Sequence, residues 1–92
     1  MGNPEVEKGK AAIVECVMEI MRDYSIESEK LVFQWDEDFD RSRWNLNIYR
    51  GKQRRQLGFR EQDVEAWPGD IKVAERYKAA ILRAVELFLR NW

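Results

Sequence analysis

The stretch RWNLNIYRGKQRRQLGFR, residues 43–60, decides the fold. Apolar and polar side chains alternate on both sides of its centre, which is typical of two half-buried strands. Gly51-Lys52 fits a two-residue type II′ turn, which requires glycine at its first position. The apolar residues that then share one face are Trp44, Leu46, Ile48, Leu57 and Phe59. Closing the hairpin there sets Trp44 opposite Phe59 and Leu46 opposite Leu57, and a one-residue slip would destroy this match.

The segment LVFQW, residues 31–35, alternates in the same way and predicts a further strand. We apply the same facing rule, that apolar residues of neighbouring strands lie opposite one another on one face. It pairs Trp35 with Trp44, Phe33 with Leu46 and Leu31 with Ile48. Residues 36–43 would then form an eight-residue loop. The sequence therefore predicts a three-stranded antiparallel meander with one aromatic face.

A helix is predicted before the meander, beginning after Asn3 as N-cap with Pro4 at the first helical position. Its apolar residues recur with a helical period. They are Val6, Ile13, Val14, Val17, Ile20, Met21 and Tyr24.

After the meander, REQDVEAW (residues 60–67) predicts a short helical turn, closed by Pro68-Gly69. Asp70 is then expected to cap a long final helix that runs almost to Trp92. The stripe of that helix is Ala74, Tyr77, Ile81, Leu82, Val85, Phe88 and Leu89.

These elements predict a single domain over residues 1–92, an α+β fold of two layers in the order α-β-β-β-α. Both amphipathic helices should cover the aromatic face of the sheet, because neither can bury its apolar stripe elsewhere. The other face is left to solvent or a partner. It carries Val32, Gln34, Asn45, Asn47, Tyr49, Arg54, Gln56 and Arg60.

Composition excludes several functions. The chain of 92 residues has no histidine, which removes histidine-dependent catalysis and most zinc and iron sites. Its lone Cys16 lies in a helical apolar pattern and cannot form an internal disulfide. No apolar run is long enough to span a bilayer. We expect a cytoplasmic protein that is not an enzyme, with no metal, no membrane association and no small-molecule cofactor.

The stretch WDEDFDRSRW, residues 35–44, begins like a calcium loop, with an aspartate at every second position. An EF-hand loop counted from Asp36 needs glycine at its sixth position and glutamate at its twelfth. Those positions hold Arg41 and Asn47, and the flanking segments are strands rather than helices. The sequence favours a long hairpin loop whose Phe39 folds back onto Trp35 or Trp44.

Charge separates sharply along the chain. Residues 1–40 hold 11 acids and 4 bases, a net −7, and residues 41–60 hold 7 bases and no acid, a net +7. Residues 61–92 hold 6 acids and 5 bases, a net −1. The acids and bases either pair within one chain, for example Asp38 or Asp40 with Arg41 or Arg43, or meet across an interface between chains.

This pattern predicts a small binding module that acts through its charged open sheet face, by association with a protein partner or with itself. The alternative is nucleic-acid binding through the basic hairpin 41–60. Arg50 and Arg55 should lie at the rim of the apolar face instead. The residues expected to form the binding surface are Tyr49, Lys52, Arg54, Gln56 and Arg60.

The run YRGKQRRQLGFREQDVEAW, residues 49–67, resembles the basic hairpin of three-stranded DNA-binding domains such as the arm-binding domain of tyrosine integrases. The resemblance implies nucleic-acid binding by the hairpin. This sequence departs from the pattern of the family at two points. Pro68-Gly69 stops the helix, and the chain has a first helix that the family lacks. The matching residues are Gly51, Lys52, Gly58, Phe59, Glu65 and Ala66.

Overall fold

A computed structural model describes residues 3–27 and 30–90. Helix α1 (Pro4–Asp23) is followed by strands β1 (Leu31–Asp38), β2 (Arg43–Arg50) and β3 (Gln53–Arg60). Helix α2 (Glu61–Ala66), a 3-10 turn (Trp67–Gly69) and helix α3 (Ile71–Arg90) complete the described chain. The strands form one antiparallel sheet in the order β1-β2-β3. The predicted α+β fold with helices on a sheet is confirmed.

The β2–β3 hairpin has the predicted register. Trp44 faces Phe59, Leu46 faces Leu57 and Arg50 faces Gln53. Gly51 has a φ of +61°, the left-handed conformation that opens a type II′ turn and that glycine adopts without a steric penalty. This hairpin is therefore fixed by its own turn and its own facing pairs.

The predicted register between β1 and β2 is wrong by two residues. Trp35 faces Leu46, Phe33 faces Ile48 and Leu31 faces Arg50, while Trp44 faces Glu37. Because side chains alternate with a period of two, a shift by two keeps every residue on its predicted face. The facing rule therefore identified the correct faces, but it did not distinguish this register from the next one.

The β1–β2 connection is correspondingly shorter than predicted. It comprises the 3-10 turn Phe39–Arg41 and Ser42, whose φ of +50° turns the chain into β2. Phe39 does not fold back onto a tryptophan, since its side chain is 79% exposed. The charged residues Asp36 and Asp38 belong to β1, because an open sheet face accepts polar side chains as readily as a loop does.

Both long helices begin at the predicted caps. Asn3 Oδ1 accepts a hydrogen bond from the backbone N–H of Glu5 at 3.0 Å, and Asp70 Oδ1 accepts one from Lys72 at 3.0 Å. Tyr24 was predicted in the buried stripe of α1, but it is 42% exposed because the helix ends at Asp23. No helix within the described ranges is long and apolar enough to cross a membrane.

The core lies between the helices and one face of the sheet. Phe59 is at its centre, with ring centroids 4.9 Å from Tyr77 and 5.8 Å from both Trp35 and Trp67. The sequence stripe omitted Val73 and Ala84, which are also buried. The buried residues shared among α1, the sheet and α3 include Val6, Ile13, Val17, Leu46, Ile48, Leu57, Val73, Ile81, Ala84, Val85 and Phe88.

Helices α1 and α2 approach each other at Gly9. A β-carbon built at Gly9 would lie 1.8 Å from the backbone carbonyl oxygen of Val64. Real β-carbon contacts are far longer, so a side chain at this position would push the two helices apart. The absence of a side chain at Gly9 therefore lets α1 pack against the segment that follows the sheet.

Two tryptophans at the margin of the core are covered by a lysine. Lys10 Nζ lies 4.0 Å from the ring centroid of Trp44 and 5.9 Å from that of Trp35. Glu7 Oε1 pairs with the same ammonium group at 3.2 Å. The ammonium group itself therefore lies over the face of the Trp44 ring, a cation–π contact. Lys10 thus closes the core where helix and sheet diverge.

Candidate binding surface

The sheet face away from the core consists of four rows of side chains, each running across the three strands. We call these twelve residues the open face. Because both registers are continuous, each row contains one residue from β1, one from β2 and one from β3. The rows are Val32–Tyr49–Arg54, Gln34–Asn47–Gln56, Asp36–Asn45–Gly58 and Asp38–Arg43–Arg60.

The middle of the open face is a closed hydrogen-bond ladder. Asn47 Nδ2 donates to Asp36 Oδ2 at 2.6 Å, and Gln56 Nε2 donates to Asn47 Oδ1 at 3.1 Å. Asn47 was predicted to face solvent, but it is only 2% exposed, because its neighbours in three strands cover it. The buried amide has partners on both sides, which offsets the cost of removing it from water.

Charge on the open face is arranged by strand. Asp36 and Asp38 lie along β1, and we call them the acidic border. Arg54 and Arg60 lie along β3, and with Lys52 at the turn we call them the basic border. The sequence had not placed the two aspartates on this face. Their alternation, read as the start of a loop, is in fact the period of a strand.

Arg43 lies between the two borders, in the row with Asp38 and Arg60. Its guanidinium extends over Gly58, since a β-carbon built at Gly58 would be 2.9 Å from Arg43 Nη2. Gly58 thus leaves a shallow depression in the sheet that the arginine side chain fills.

The five predicted binding residues lie on one face or at its turn, but they do not converge on a pocket. Tyr49 and Arg54 share a row, Gln56 belongs to the central ladder and Lys52 lies at the turn. Arg60 is six residues from Arg54 on the same strand, about 20 Å at the rise of an extended chain. The arrangement suits an extended partner rather than a small molecule.

Internal ion pairing neutralises little of the basic segment. Arg41 Nε, in the 3-10 turn, is 4.0 Å from Oδ2 of Asp38 at the end of β1. Within residues 3–27 and 30–90, Arg54 and Arg60 have no carboxylate at ion-pair distance. These two guanidinium groups are exposed and directed away from the core.

The two remaining arginines of the hairpin lie on the opposite face, as predicted. Arg50 Nη1 donates to the carbonyl oxygen of Phe88 at 3.3 Å. The guanidinium of Arg55 lies 5.8 Å from the centre of the Phe88 ring. Both side chains cover the end of α3, so they contribute to packing and not to the open face.

A shallow cavity of about 560 Å³ lies at one end of the sheet, between the β1–β2 loop and the start of α2. Three arginines and two glutamates of α2 line this cavity. At its base, the backbone N–H of Glu61 donates a hydrogen bond to the backbone carbonyl oxygen of Ser42 at 3.0 Å. Because the cavity is widely open and carries charges of both signs, it is a shallow part of the protein surface and not an enclosed pocket. The lining residues are Arg41, Ser42, Arg43, Arg60, Glu61, Gln62 and Glu65.

Buried Asp63 and half-buried Tyr77 form a titratable pair that sequence reasoning did not detect. Tyr77 Oη donates to Asp63 Oδ2 and accepts from the backbone N–H of Arg60 at 3.4 Å. Burial, and then the hydrogen bond to Asp63, raises the pKa of Tyr77 above its usual value of 10.0. A tyrosine held in its protonated form as a donor ties α3 to the β3–α2 corner and is a poor base.

Two other candidate chemistries find little support in the geometry. Among the described residues, no three acidic or cysteine side chains converge as metal ligands. The carboxylate of Asp36 accepts a hydrogen bond from Asn47 instead. Burial, followed by the nearby Glu19 carboxylate, raises the pKa of Cys16 above its usual value of 9.0. This shift disfavours the reactive thiolate.

Comparison with known proteins gives no assignment: the chain matches no protein-family model, no curated protein and no solved structure.

Proposed function

We propose that this protein is a non-enzymatic protein-binding module whose open face holds an acidic segment of a partner protein along β3. The carrying observation is the basic border. Arg54 and Arg60 project from the face opposite the helices, without internal counter-ions among the described residues. Exposed guanidinium groups without a carboxylate at ion-pair distance are favourable contacts for the carboxylates of a partner, because arginine can bind a carboxylate with two parallel hydrogen bonds.

The acidic border supports a protein partner over a nucleic acid. Asp36 and Asp38 lie on the same face, about two strand spacings (10 Å) from β3. Such a distance is close to the screening length at moderate salt, so the aspartates would repel a phosphate backbone laid across the face. A protein segment can present acids to β3 and neutral or basic groups to β1.

The other predicted residues supply directional contacts. Tyr49 is half-buried beside Arg54 and offers an aromatic edge and a hydroxyl group. Gln56 donates one amide hydrogen to Asn47, and its side chain is exposed. The binding free energy would come from charge and from a few such contacts, so affinity should fall as salt rises.

The test uses fluorescence polarisation at low salt with labelled poly-glutamate peptide, single-stranded DNA and duplex DNA as probes. We expect the peptide to bind, and Arg54→Glu with Arg60→Glu to weaken binding at least tenfold. The matched control is Lys72→Glu with Arg83→Glu, which makes the same charge change on exposed positions of α3. Loss of binding that is equal in the two double variants would reject the open face as the site.

Nucleic acid is the competing outcome of the same experiment. Tighter binding of either DNA probe than of the peptide, lost with Arg54→Glu and Arg60→Glu, would replace the protein partner by a nucleic acid. Peptide that fails to bind the unaltered protein at low salt would contradict the proposal directly.

A further inference from the structure

Within the described part of the chain, the sheet has two free edges, because β1 and β3 each pair with β2 alone. Edge strands expose backbone N–H and C=O groups that a further strand can bind. Charged side chains that would face one another across such a contact are the usual protection against it. The two edges of this sheet differ in this respect.

The β1 edge carries more exposed apolar surface than the β3 edge. Val32 on the open face is 60% exposed, and Phe33 and Trp35 on the opposite face are only half-buried. On β3, Leu57 and Phe59 are buried. The half-buried aromatic pair would gain burial from a neighbouring strand on the outer side of β1.

The side chains of β1 are complementary to those of a second copy of β1 that runs antiparallel to it. If two copies of β1 pair antiparallel with Gln34 on the two-fold axis, Phe33 faces Trp35 of the second copy on the core side. On the open side Val32 faces Asp36 of the second copy, and Lys30 faces Asp38 of the second copy. Although the strand carries three acids, no acid faces an acid in this register. At each end of the interface, Lys30 of one copy and Asp38 of the other form a favourable pair of opposite charges.

The β3 strand is opposed by like charges in the two registers that overlap most of its length. With Gln56 on the axis, Lys52 would face Arg60 of the second copy. With Leu57 on the axis, Arg54 would face Arg60 of the second copy. Directly opposed like charges are destabilising, so these registers disfavour self-pairing of β3. The register about Gly58 avoids like charges, but it overlaps only residues 56–60 of β3.

We propose that two copies of this chain associate through β1, antiparallel, with Gln34 on a two-fold axis perpendicular to the sheet. The product is a six-stranded sheet with all helices on one side. The central ladder then continues through Gln34 into the second copy. Each basic border stays at an outer edge, so the dimer presents two of them. This association does not depend on what the open face binds.

An edge contact of this kind buries less area than a permanent dimer, so the association should be weak and concentration-dependent. Sedimentation equilibrium, or size exclusion with light scattering over a wide range of concentration, measures it. Gln34→Lys places two ammonium groups on the axis and should raise the dimer dissociation constant at least tenfold. Gln56→Lys, in the same row on the other edge, should leave it within about twofold. A strict monomer at millimolar concentration would overturn the proposal.

A charge exchange tests the register. Lys30 is exposed and has only an exposed pair with Glu27, at 3.6 Å, so its replacement costs the monomer little. Lys30→Asp and Asp38→Lys should each weaken the dimer several-fold, because each opposes like charges across the interface. The two changes in one chain should restore it. A double variant that is weaker than both single variants would contradict this register.

Cross-linking locates the axis. In a Cys16→Ser background, Gln34→Cys should form an intermolecular disulfide under mild oxidation, since facing β-carbons across the axis are within reach. Val32→Cys, two residues away on the same face, should cross-link at least fivefold more slowly. Equal rates at both positions, or faster reaction at Val32, would place the axis elsewhere and reject the proposed interface.

Discussion

The two faces of the sheet are built from alternate residues of the same strands, yet each is stabilised in a different way. The face toward the helices is held by tight packing, such as Phe59 within its aromatic cluster, and the helices that cover it approach each other closely at Gly9 and Val64. The open face has a buried amide, Asn47, which binds Asp36 of the acidic border. Arg54 and Arg60 of the basic border have no carboxylate at ion-pair distance within residues 3–27 and 30–90. Dense contacts are therefore confined to one face, and the other remains available for binding.

The difference shows why charge in a sequence is ambiguous between fold and function. Arg55 and Arg54 are neighbours in the chain, but Arg55 packs on Phe88 while Arg54 points away from the core. The same amino acid thus contributes to the core margin at one position and to the candidate binding surface at the next. Substitutions on the two faces should separate these roles.

The largest effect is expected at the closest contact of the core side. Gly9→Ala should lower the free energy of unfolding by about 3 kcal/mol, because its β-carbon would overlap the carbonyl oxygen of Val64 and force α1 away from α2. Urea denaturation measures the change. Gly69→Ala is the control, since a β-carbon there has no heavy atom within 4 Å. A loss below about 1 kcal/mol at Gly9 would mean that the helices separate without cost.

A smaller effect is expected at the hydroxyl group of Tyr77, which is half-buried. Tyr77→Phe should cost about 2 kcal/mol, because it leaves the buried carboxylate of Asp63 with only the distant Arg76, 3.8 Å away. Tyr49→Phe on the open face is the matched control and should change stability by less than about 0.5 kcal/mol. Equal effects at the two tyrosines would remove the distinction between the faces.

The same residue predicts a dependence on pH. The raised pKa of Tyr77 means that the folded state favours the neutral phenol, so its contribution is complete below about pH 10 and is lost as pH rises through the folded pKa. Cys16, with its pKa raised above 9.0, acts in the same direction from a lower pH. Thermal melting should show stability falling above about pH 9. Tyr77→Phe should reduce the loss of stability at the highest pH values. An unchanged loss would show that ionisation of Tyr77 is not its cause.

The smallest effect is expected within the open face. Asn47→Ala should lower stability by about 1 kcal/mol, because it removes both hydrogen bonds of the ladder, whose other members can turn to water. Asn45→Ala, on the same strand and face but half-exposed, should be nearly neutral. Chemical denaturation of both variants distinguishes a structural ladder from an incidental one.

The β2–β3 hairpin was predictable from sequence because its turn and its facing pairs are local. Gly51 fixes the reversal, and the alternation on either side fixes the face. The caps Asn3 and Asp70 were predictable for the same reason, since each satisfies backbone N–H groups of its own helix. Local chemistry determined all of these features.

The β1–β2 pairing was not predictable from alternation, because registers two residues apart present the same faces. Its turn lacks the glycine or asparagine that identifies most hairpins, and Ser42 adopts the left-handed conformation instead. The burial of Asn47 was missed as well, since it depends on neighbours from all three strands at once.

The sequence by itself determined the elements, the faces of the strands and the sign change between Asp40 and Arg41. Each depends on residues near one another in the chain. Only the tertiary structure decided the β1 register, the approach of Gly9 to Val64 and the distribution of charge into two borders. These depend on distances between residues remote in sequence, and periodicity along a chain contains no such distances.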